Sequence, residues 1–146
     1  FVAVFAIFIG SQITEGVLLL PYWKSLTANE FYTFYSNFGQ TIGRFYTVLT
    51  IISVIIPLIA VVYFKIKKQK GYYFAFLSAV FALLFLASFY IYFKETNDLF
   101  FESALNKNEL KSELIVWGNW HWGRVIIECF SLLFLVLSFT KNEKKL

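Results

Sequence analysis

Four apolar stretches, each long enough to span a membrane, constrain this chain more than any other feature. They lie near 1–20, 39–64, 72–93 and 115–139, and a helix needs about 20 apolar residues to cross the hydrocarbon core of a bilayer. Hydrophobic residues make up 59% of the chain and charged residues 15%, against roughly 45–50% and 25% in soluble domains. The pattern predicts one all-α domain over 1–146, a membrane-embedded antiparallel four-helix bundle.

The first stretch is interpreted as a membrane span and not as a cleavable signal peptide. It carries Glu15 within it, has no basic start, and ends in "LLLPYW" without the small residues of a cleavage site. The sequence contains no methionine, so we expect further residues before Phe1.

Positive charge is distributed unevenly among the polar segments. The link "KIKKQK" carries four basic residues and no acid, and the tail "TKNEKKL" carries three lysines and one glutamate. The link over 94–113 has three lysines against five acids. Because cytoplasmic loops are enriched in Lys and Arg, we predict that both termini and the basic link are cytoplasmic. This asymmetry accounts for the net charge of +4 without a nucleic-acid partner.

The two longer links carry helix signals. "TANE" has the form of a capping box, in which Thr27 and Glu30 satisfy free amides at a helix start. The aromatic segment "EFYTFYSNF" then either lies on the membrane or extends the second helix outward. In the other link, Asn108 is predicted to cap a helix beginning at Glu109, after a short helix in "NDLFFESAL". Together these segments predict a small outer cap of one or two short helices.

Four charged residues lie at similar depth in three of the predicted spans. At 1.5 Å per residue, Glu15 and Glu128 lie about 9 Å inside the outer ends of their spans, and Arg44 about 7–8 Å. Arg124 lies slightly nearer the surface than Glu128. A charge that faces lipid costs several kcal/mol, so we expect these side chains to face each other. Glu15 and Arg124 should form a salt bridge, with Glu128 and Arg44 completing a network.

The start of the fourth span is rich in polar and aromatic residues. In "WGNWHWGRVIIE", the single histidine His121 shares a helical face with Arg124 and Glu128, since the three are spaced three and four apart. The tryptophans of this segment are typical of an interfacial belt. Pairs of small residues four apart predict close helix approach; they are Ala6 with Gly10, Gly39 with Gly43, and Ala75 with Ala79.

No cofactor is predicted from the residue types present. The sequence has one histidine and one cysteine, which excludes a haem held by two histidines of one chain, and Cys129 is interpreted as packing. A mononuclear metal held by His121 and Glu15 is the alternative. His121 and Glu128 are roughly 10 Å apart along the helix, too far to bind one ion together. No phosphate-binding glycine loop or HExxH motif is present.

The order of these motifs resembles the anthrone-oxygenase-like family of small four-helix membrane proteins. The first helix ends in "GSQITEGVLLLPYW", and the third ends in "FKETNDLFF", where Asn97 and Leu99 match the family's asparagine followed by a hydrophobic residue. The fourth opens with "WGNWHWGR", where Trp117, Asn119, His121 and Arg124 match. The family's frequent proline before the asparagine is replaced by "KETN".

The resemblance implies a cofactor-independent oxygenase that oxidises a hydrophobic aromatic molecule of the anthrone type. A base removes an acidic C–H proton, and the carbanion reacts with oxygen. His121 would be that base and Arg124 would stabilise the enolate oxygen. The ring system would be oriented by Asn97 and Asn119 and stacked on by Trp117, Trp120 or Phe101.

A non-catalytic function is the alternative. The chain would then be a membrane subunit, or a scaffold that binds a lipid or quinone, associated with a protein partner or with copies of itself. Its ion pairs would fix the helix register, with no space between Glu15 and Arg124. Catalysis instead predicts a cavity that reaches His121 and is lined by Trp117 and Asn97.

Overall fold

The computed structural model describes residues 2–141, which form four long helices and no strand. The helices are α1 (Val2–Ser25), α2 (Ala28–Ile66), α3 (Tyr72–Phe101) and α4 (Lys107–Thr140). All four are long and apolar enough to cross a membrane, so the chain is an integral membrane protein, and the predicted all-α four-helix bundle is confirmed.

The sidedness of the bundle stays a prediction. Phe1 and 142–146, which include most of the basic tail, lie outside the described residues. The links at 26–27, 67–71 and 102–106 are short, so consecutive helices run antiparallel. We call the end of the bundle that carries the first and third links the upper end.

Two capping boxes start the helices that leave the upper end. The Thr27 side chain accepts from the Glu30 amide, and the Glu30 carboxylate accepts from the Thr27 amide at 2.8 Å, as predicted. At the start of α4 the cap is Asn106, whose side-chain oxygen accepts from the amides of Asn108 and Glu109. The prediction of Asn108 as the cap is therefore wrong, because Glu109 lies three residues after Asn106 and completes the box with it.

Wide π-helical turns interrupt α1 and α3. In α1, the segment Glu15–Leu19 joins Val2–Thr14 to Leu20–Ser25, so the helix continues past Pro21 and does not end there. In α3, the π segment is Phe89–Phe93, between Tyr72–Ser88 and Lys94–Phe101. The short segments Leu20–Ser25 and Lys94–Phe101 form the upper cap as continuations of the long helices. The segment after Thr27 likewise extends α2, which runs unbroken through Pro57.

The third and fourth helices share the most extensive packing. Ala75 and Ala79 are buried there, as predicted for a close approach. Ser78 and Ser131 also exchange hydrogen bonds, each hydroxyl donating to the other's backbone carbonyl at 2.8 and 2.9 Å. At the upper end Tyr92 donates to the Glu113 carboxylate of α4.

Two apolar cores fill the bundle. The lower core comprises Phe5, Ile9, Ile56, Ala60, Phe64, Ala75 and Leu135. The upper core is largely aromatic and comprises Leu20, Trp23, Phe31, Tyr35, Phe93, Phe100, Leu110, Leu114 and Trp117. Large hydrophobic side chains are exposed along all four helices, including Leu18, Val48, Ile91 and Ile126, which is the surface that lipid would cover.

Candidate functional site

Glu15 and Arg124 form a buried ion pair between the first and last helices. The guanidinium Nη2 lies 3.1 Å from the carboxylate Oε2, and the side chains are 4% and 11% exposed. The predicted salt bridge is therefore confirmed. The Arg124 guanidinium also lies 4.2 Å from the centre of the Phe93 ring, which gives the cation a π face as well as an anion.

His121 is fully buried behind this pair. Its Nε2 lies 2.9 Å from the carbonyl oxygen of Gln12, and its Nδ1 lies 3.2 Å from Nη2 of Arg124. A carbonyl can only accept, so Nε2 donates to Gln12 and Nδ1 accepts from Arg124. The ring also stacks on Trp117, with centres 5.0 Å apart. Both ring nitrogens are thus engaged, and the histidine holds Arg124 in place.

Two glycines allow α1 and α4 to approach closely at the site. A Cβ on Gly16 would lie 2.7 Å from the Trp122 ring and 3.0 Å from Nε2 of His121. A Cβ on Gly118 would lie 2.7 Å from the Leu20 side chain. Neither glycine belongs to the predicted small-residue pairs. Of those, Ala6 and Gly10 are exposed, and a Cβ on Gly10 would meet no atom within 4 Å; their prediction was wrong.

A pocket of about 270 Å³ lies beside the ion pair, among all four helices. Its wall includes Glu15 and Arg124, and half of the other lining residues are aromatic. The aromatic lining residues are Trp23, Tyr35, Tyr46, Phe85, Phe89, Tyr90, Phe93 and Trp117. Asn97 adds an amide at the upper end. This volume is near the lower bound of about 300–1,000 Å³ that is typical of small-molecule sites.

One stripe of α2 forms the opposite wall. It consists of Tyr35, Gly39, Ile42, Gly43, Tyr46, Thr47, Thr50 and Ile51. These residues recur at intervals of three and four, so they share one helical face. Gly39 packs against the Tyr35 and Phe101 rings, whereas a Cβ on Gly43 would meet no atom within 4 Å. The predicted Gly39 and Gly43 pair therefore leaves space at Gly43 and does not bring two helices together there.

The structure brings together only some of the predicted site residues. Glu15, Asn97, Trp117 and Arg124 line the pocket. His121 does not line it, so the predicted cavity has the expected Trp117 and Asn97 walls but does not reach the histidine. Phe101 lies behind the wall, with its ring 4.8 Å from that of Tyr35.

Asn119 and Trp120 lie on another face of α4. Both are exposed and border a separate shallow groove with Gly123, and the Trp120 ring stacks on Tyr92. Neither residue lines the main pocket, although Arg124 borders this groove as well, and their predicted contact with a ligand stays a prediction. Trp117 and Trp120 are three residues apart, so their side chains differ in direction by about 60°, which is enough to separate the pocket from the groove.

Arg44 and Glu128 do not complete the predicted network. Arg44 is exposed and has no ion pair among residues 2–141. Glu128 is 2% exposed, lies beside Ser53, and is outside salt-bridge distance of Arg124. Depth alone predicted these contacts, whereas the rotation of each helix decides which side chains meet.

Most of the lining residues were not predicted as site residues, among them Trp23, Tyr35, Tyr46 and Phe93. Tyr35 and Tyr46 could have been found, because they share one helical face with Gly39 and Gly43, and a stripe of aromatics and glycines indicates a wall with space beside it. The position of Phe93 depends on the π turn of α3, for which the sequence carries no clear signal.

Within residues 2–141 no cluster of three metal-binding side chains is present. The alternative of a metal at His121 and Glu15 meets a physical obstacle. Nδ1 of His121 and Oε2 of Glu15 are 3.5 Å apart, but both contact Nη2 of Arg124. The guanidinium already supplies the positive charge there, and a second cation would be repelled.

Comparison with protein-family models, curated proteins and solved structures finds no match to this chain.

Proposed function

We propose that this membrane protein binds a flat, hydrophobic aromatic molecule whose oxygen faces Arg124. One observation carries the proposal: an aromatic pocket of about 270 Å³ has a buried Glu15–Arg124 pair on its wall. Intramembrane charges are costly and usually serve a site. A guanidinium can donate to a carbonyl or phenolate oxygen while remaining bound to Glu15, because it has five N–H donors.

The walls suit a ring system better than a flexible chain. Trp23, Tyr35, Phe93 and Trp117 present ring edges and faces from all four helices. Aromatic pairs favour offset-stacked or edge-to-face contacts, and a planar ligand can make these with several walls at once. The Asn97 amide can bind a second oxygen at the upper end.

The catalytic form of this proposal is the cofactor-independent oxygenase that the family resemblance implies. A base takes the acidic C–H proton of an anthrone, the carbanion adds O₂ to give a peroxide, and loss of water leaves the quinone carbonyl. Glu15 lines the pocket and His121 does not, so we assign proton acceptance to Glu15. Arg124 stabilises the enolate oxygen, and His121 acts as a positioning residue for Arg124.

The non-catalytic scaffold is the second candidate, and the tight Glu15–Arg124 pair favours it. In that reading the ion pair fixes the register of α1 against α4, and the pocket holds a lipid or quinone without acting on it. A protein partner or a second copy would cover one of the apolar faces.

Binding and turnover of anthrone separate these candidates. We expect purified protein in detergent to bind anthrone, with quenching of tryptophan fluorescence, since Trp23 and Trp117 line the pocket. Arg124→Gln and Asn97→Leu should weaken binding, while Lys65→Ala at the other end of α2 should not. Absence of saturable binding would overturn the proposal.

Oxygen consumption then decides catalysis. The oxygenase proposal expects anthrone-dependent oxygen uptake that Glu15→Gln abolishes and His121→Gln only reduces, because glutamine can keep one of the histidine's hydrogen bonds. Saturable binding with no oxygen uptake would favour the scaffold. Full loss of uptake in His121→Gln, with Glu15→Gln active, would return the role of base to the histidine.

A further inference from the structure

The pocket has a side that faces the lipid-exposed surface of the bundle. Five of its lining residues are also exposed on the surface of the protein: Gly43, Thr47 and Ile51 of α2, and Phe89 and Tyr90 of α3. Ile51 is 52% exposed and Tyr90 68%. A residue that both lines a pocket and is exposed marks its mouth, so the mouth lies between α2 and α3.

The two helices that border this mouth are packed together above and below it. Above it, Tyr35 of α2 contacts the rings of Phe100 and Phe101. Below it, Ala60 and Phe64 of α2 share the lower core with Ala75 of α3. The opening is therefore a window within the helix pair and not a cleft that runs to either end of the bundle.

Side-chain size and the π turn explain why the helices separate there. Gly43 places no side chain at the opening, and a Cβ at this position would meet no atom within 4 Å. On the facing helix, the π segment Phe89–Phe93 begins at the mouth. Wide π turns are rare and occur frequently at functional sites.

We infer that this window between α2 and α3 is a lateral portal, through which the ligand passes from the bilayer into the pocket. The inference deepens the proposed function and rests on it for the identity of the ligand. The window lies within helices long and apolar enough to span a membrane, so in a bilayer its mouth opens toward the lipid. The ligand is thus a bilayer-dissolved amphiphile: its polar oxygen contacts Arg124 on the inner wall, and its apolar part lies between Gly43, Thr47 and Tyr90.

Brominated lipid tests the portal without any ligand. The chain has four tryptophans, of which Trp120 and Trp122 are 38% exposed, while Trp23 and Trp117 are buried and line the pocket. In a Trp120→Phe/Trp122→Phe protein, fluorescence reports only the two pocket tryptophans. Reconstitution into phosphatidylcholine with brominated acyl chains should quench this fluorescence, because bromine quenches at contact and the portal admits the chains.

A pair of matched glycine substitutions locates the path. Gly43→Leu places a side chain in the window and should remove most of the quenching. Gly10→Leu makes the same change at another exposed glycine with open space around it, but away from the pocket, and should leave the quenching unchanged. Circular dichroism of both variants checks that the helices form.

Two results would overturn the portal. One is no quenching by brominated lipid in the two-tryptophan protein, which means that lipid chains do not reach the pocket. The other is quenching that Gly43→Leu leaves intact, which means that they reach it elsewhere. Either result contradicts the portal alone, and the proposed function is retained if anthrone still binds and Arg124→Gln weakens its binding. If anthrone does not bind but the quenching is intact, the proposed function is contradicted and the portal is retained.

Discussion

Arg124 connects the ion pair, the histidine and the pocket through one guanidinium. Its Nη2 contacts both Glu15 and His121, and the guanidinium lies over the Phe93 ring. The pairing of Glu15 with Arg124 could be predicted from the sequence, because the two residues carry opposite charges and lie at similar depth in their predicted spans. The exposure of Arg44 could not, because depth fixes the height of a side chain but not the direction in which its helix turns it.

Single substitutions of the ion pair should destabilise the protein more than the double substitution. Glu15→Gln or Arg124→Gln leaves one buried charge without its partner, which costs roughly 3–5 kcal/mol, whereas Glu15→Gln/Arg124→Gln removes both charges. The free energy of unfolding in mixed micelles, measured for all four proteins of the cycle, gives the coupling. Additive losses would show that the two residues act independently.

The close approach of α1 to α4 at Gly16 should make this position intolerant of any side chain. Gly16→Ala introduces a methyl group 2.7 Å from Trp122 and 3.0 Å from a histidine fixed by two hydrogen bonds, and such overpacking costs about 1–3 kcal/mol. Gly10→Ala, at an exposed glycine earlier on the same helix with no atom near its Cβ position, is the control and should cost nothing. Equal stability of the two variants would contradict the close contact.

At the scale of elements, the two π turns separate the long helices from the segments that close the upper end. The apolar runs and the capping box at Thr27 predicted four helices and their order, because these signals are local, but not the full lengths of the helices, which extend beyond the predicted spans at the upper end. The π turns, the continuation of α1 beyond Pro21 and the cap at Asn106 were not predicted. A wide turn changes the rotation of everything after it, so residues such as Phe93 and Asn97 could not be placed from spacing alone.

The π turn of α3 should tolerate the loss of one residue better than the regular helix before it. Ile91 is exposed and does not line the pocket, and its deletion converts the wide turn into an α-helical one. Because the wide turn holds one residue more than an α-helical turn, the segment after it, including Asn97, keeps nearly the same rotation. Deletion of Leu83 from regular helix instead rotates every later residue of α3 by about 100°, which takes Asn97 off the pocket wall. Anthrone binding should therefore survive deletion of Ile91 and be lost on deletion of Leu83, with helical content unchanged in both; the opposite result would contradict this account of the π turn.

At the scale of the whole molecule, the four membrane spans could be predicted from composition, because apolar stretches of this length are best buried in a bilayer. Their antiparallel order follows from the short links between them. The pocket could not be predicted from the sequence, because a cavity depends on the rotation and spacing of all four helices together. The stripe of aromatic residues and glycines on α2 gave its only local sign.

The antiparallel order predicts that the α2–α3 and α3–α4 links lie on opposite sides of the membrane. In a Cys129→Ser background, Lys67→Cys and Lys107→Cys should react with a membrane-impermeant maleimide from opposite faces of oriented vesicles. Both positions are exposed. The positive-inside tendency expects Lys67 on the cytoplasmic face. Labelling of both from one face would contradict the topology, and labelling of Lys67 from outside would invert it.

The ion pair between α1 and α4 has a consequence for how the chain is made. Glu15 and Arg124 are 109 residues apart, and synthesis proceeds from the N-terminus. The acid therefore enters the bilayer long before Arg124 is translated, and α1 stays incompletely assembled until the last helix arrives. A ribosome that stops after α3 would leave an orphaned acidic span, the kind of defect by which membrane quality control recognises unfinished chains. Completion of the last helix is then the step that protects the first.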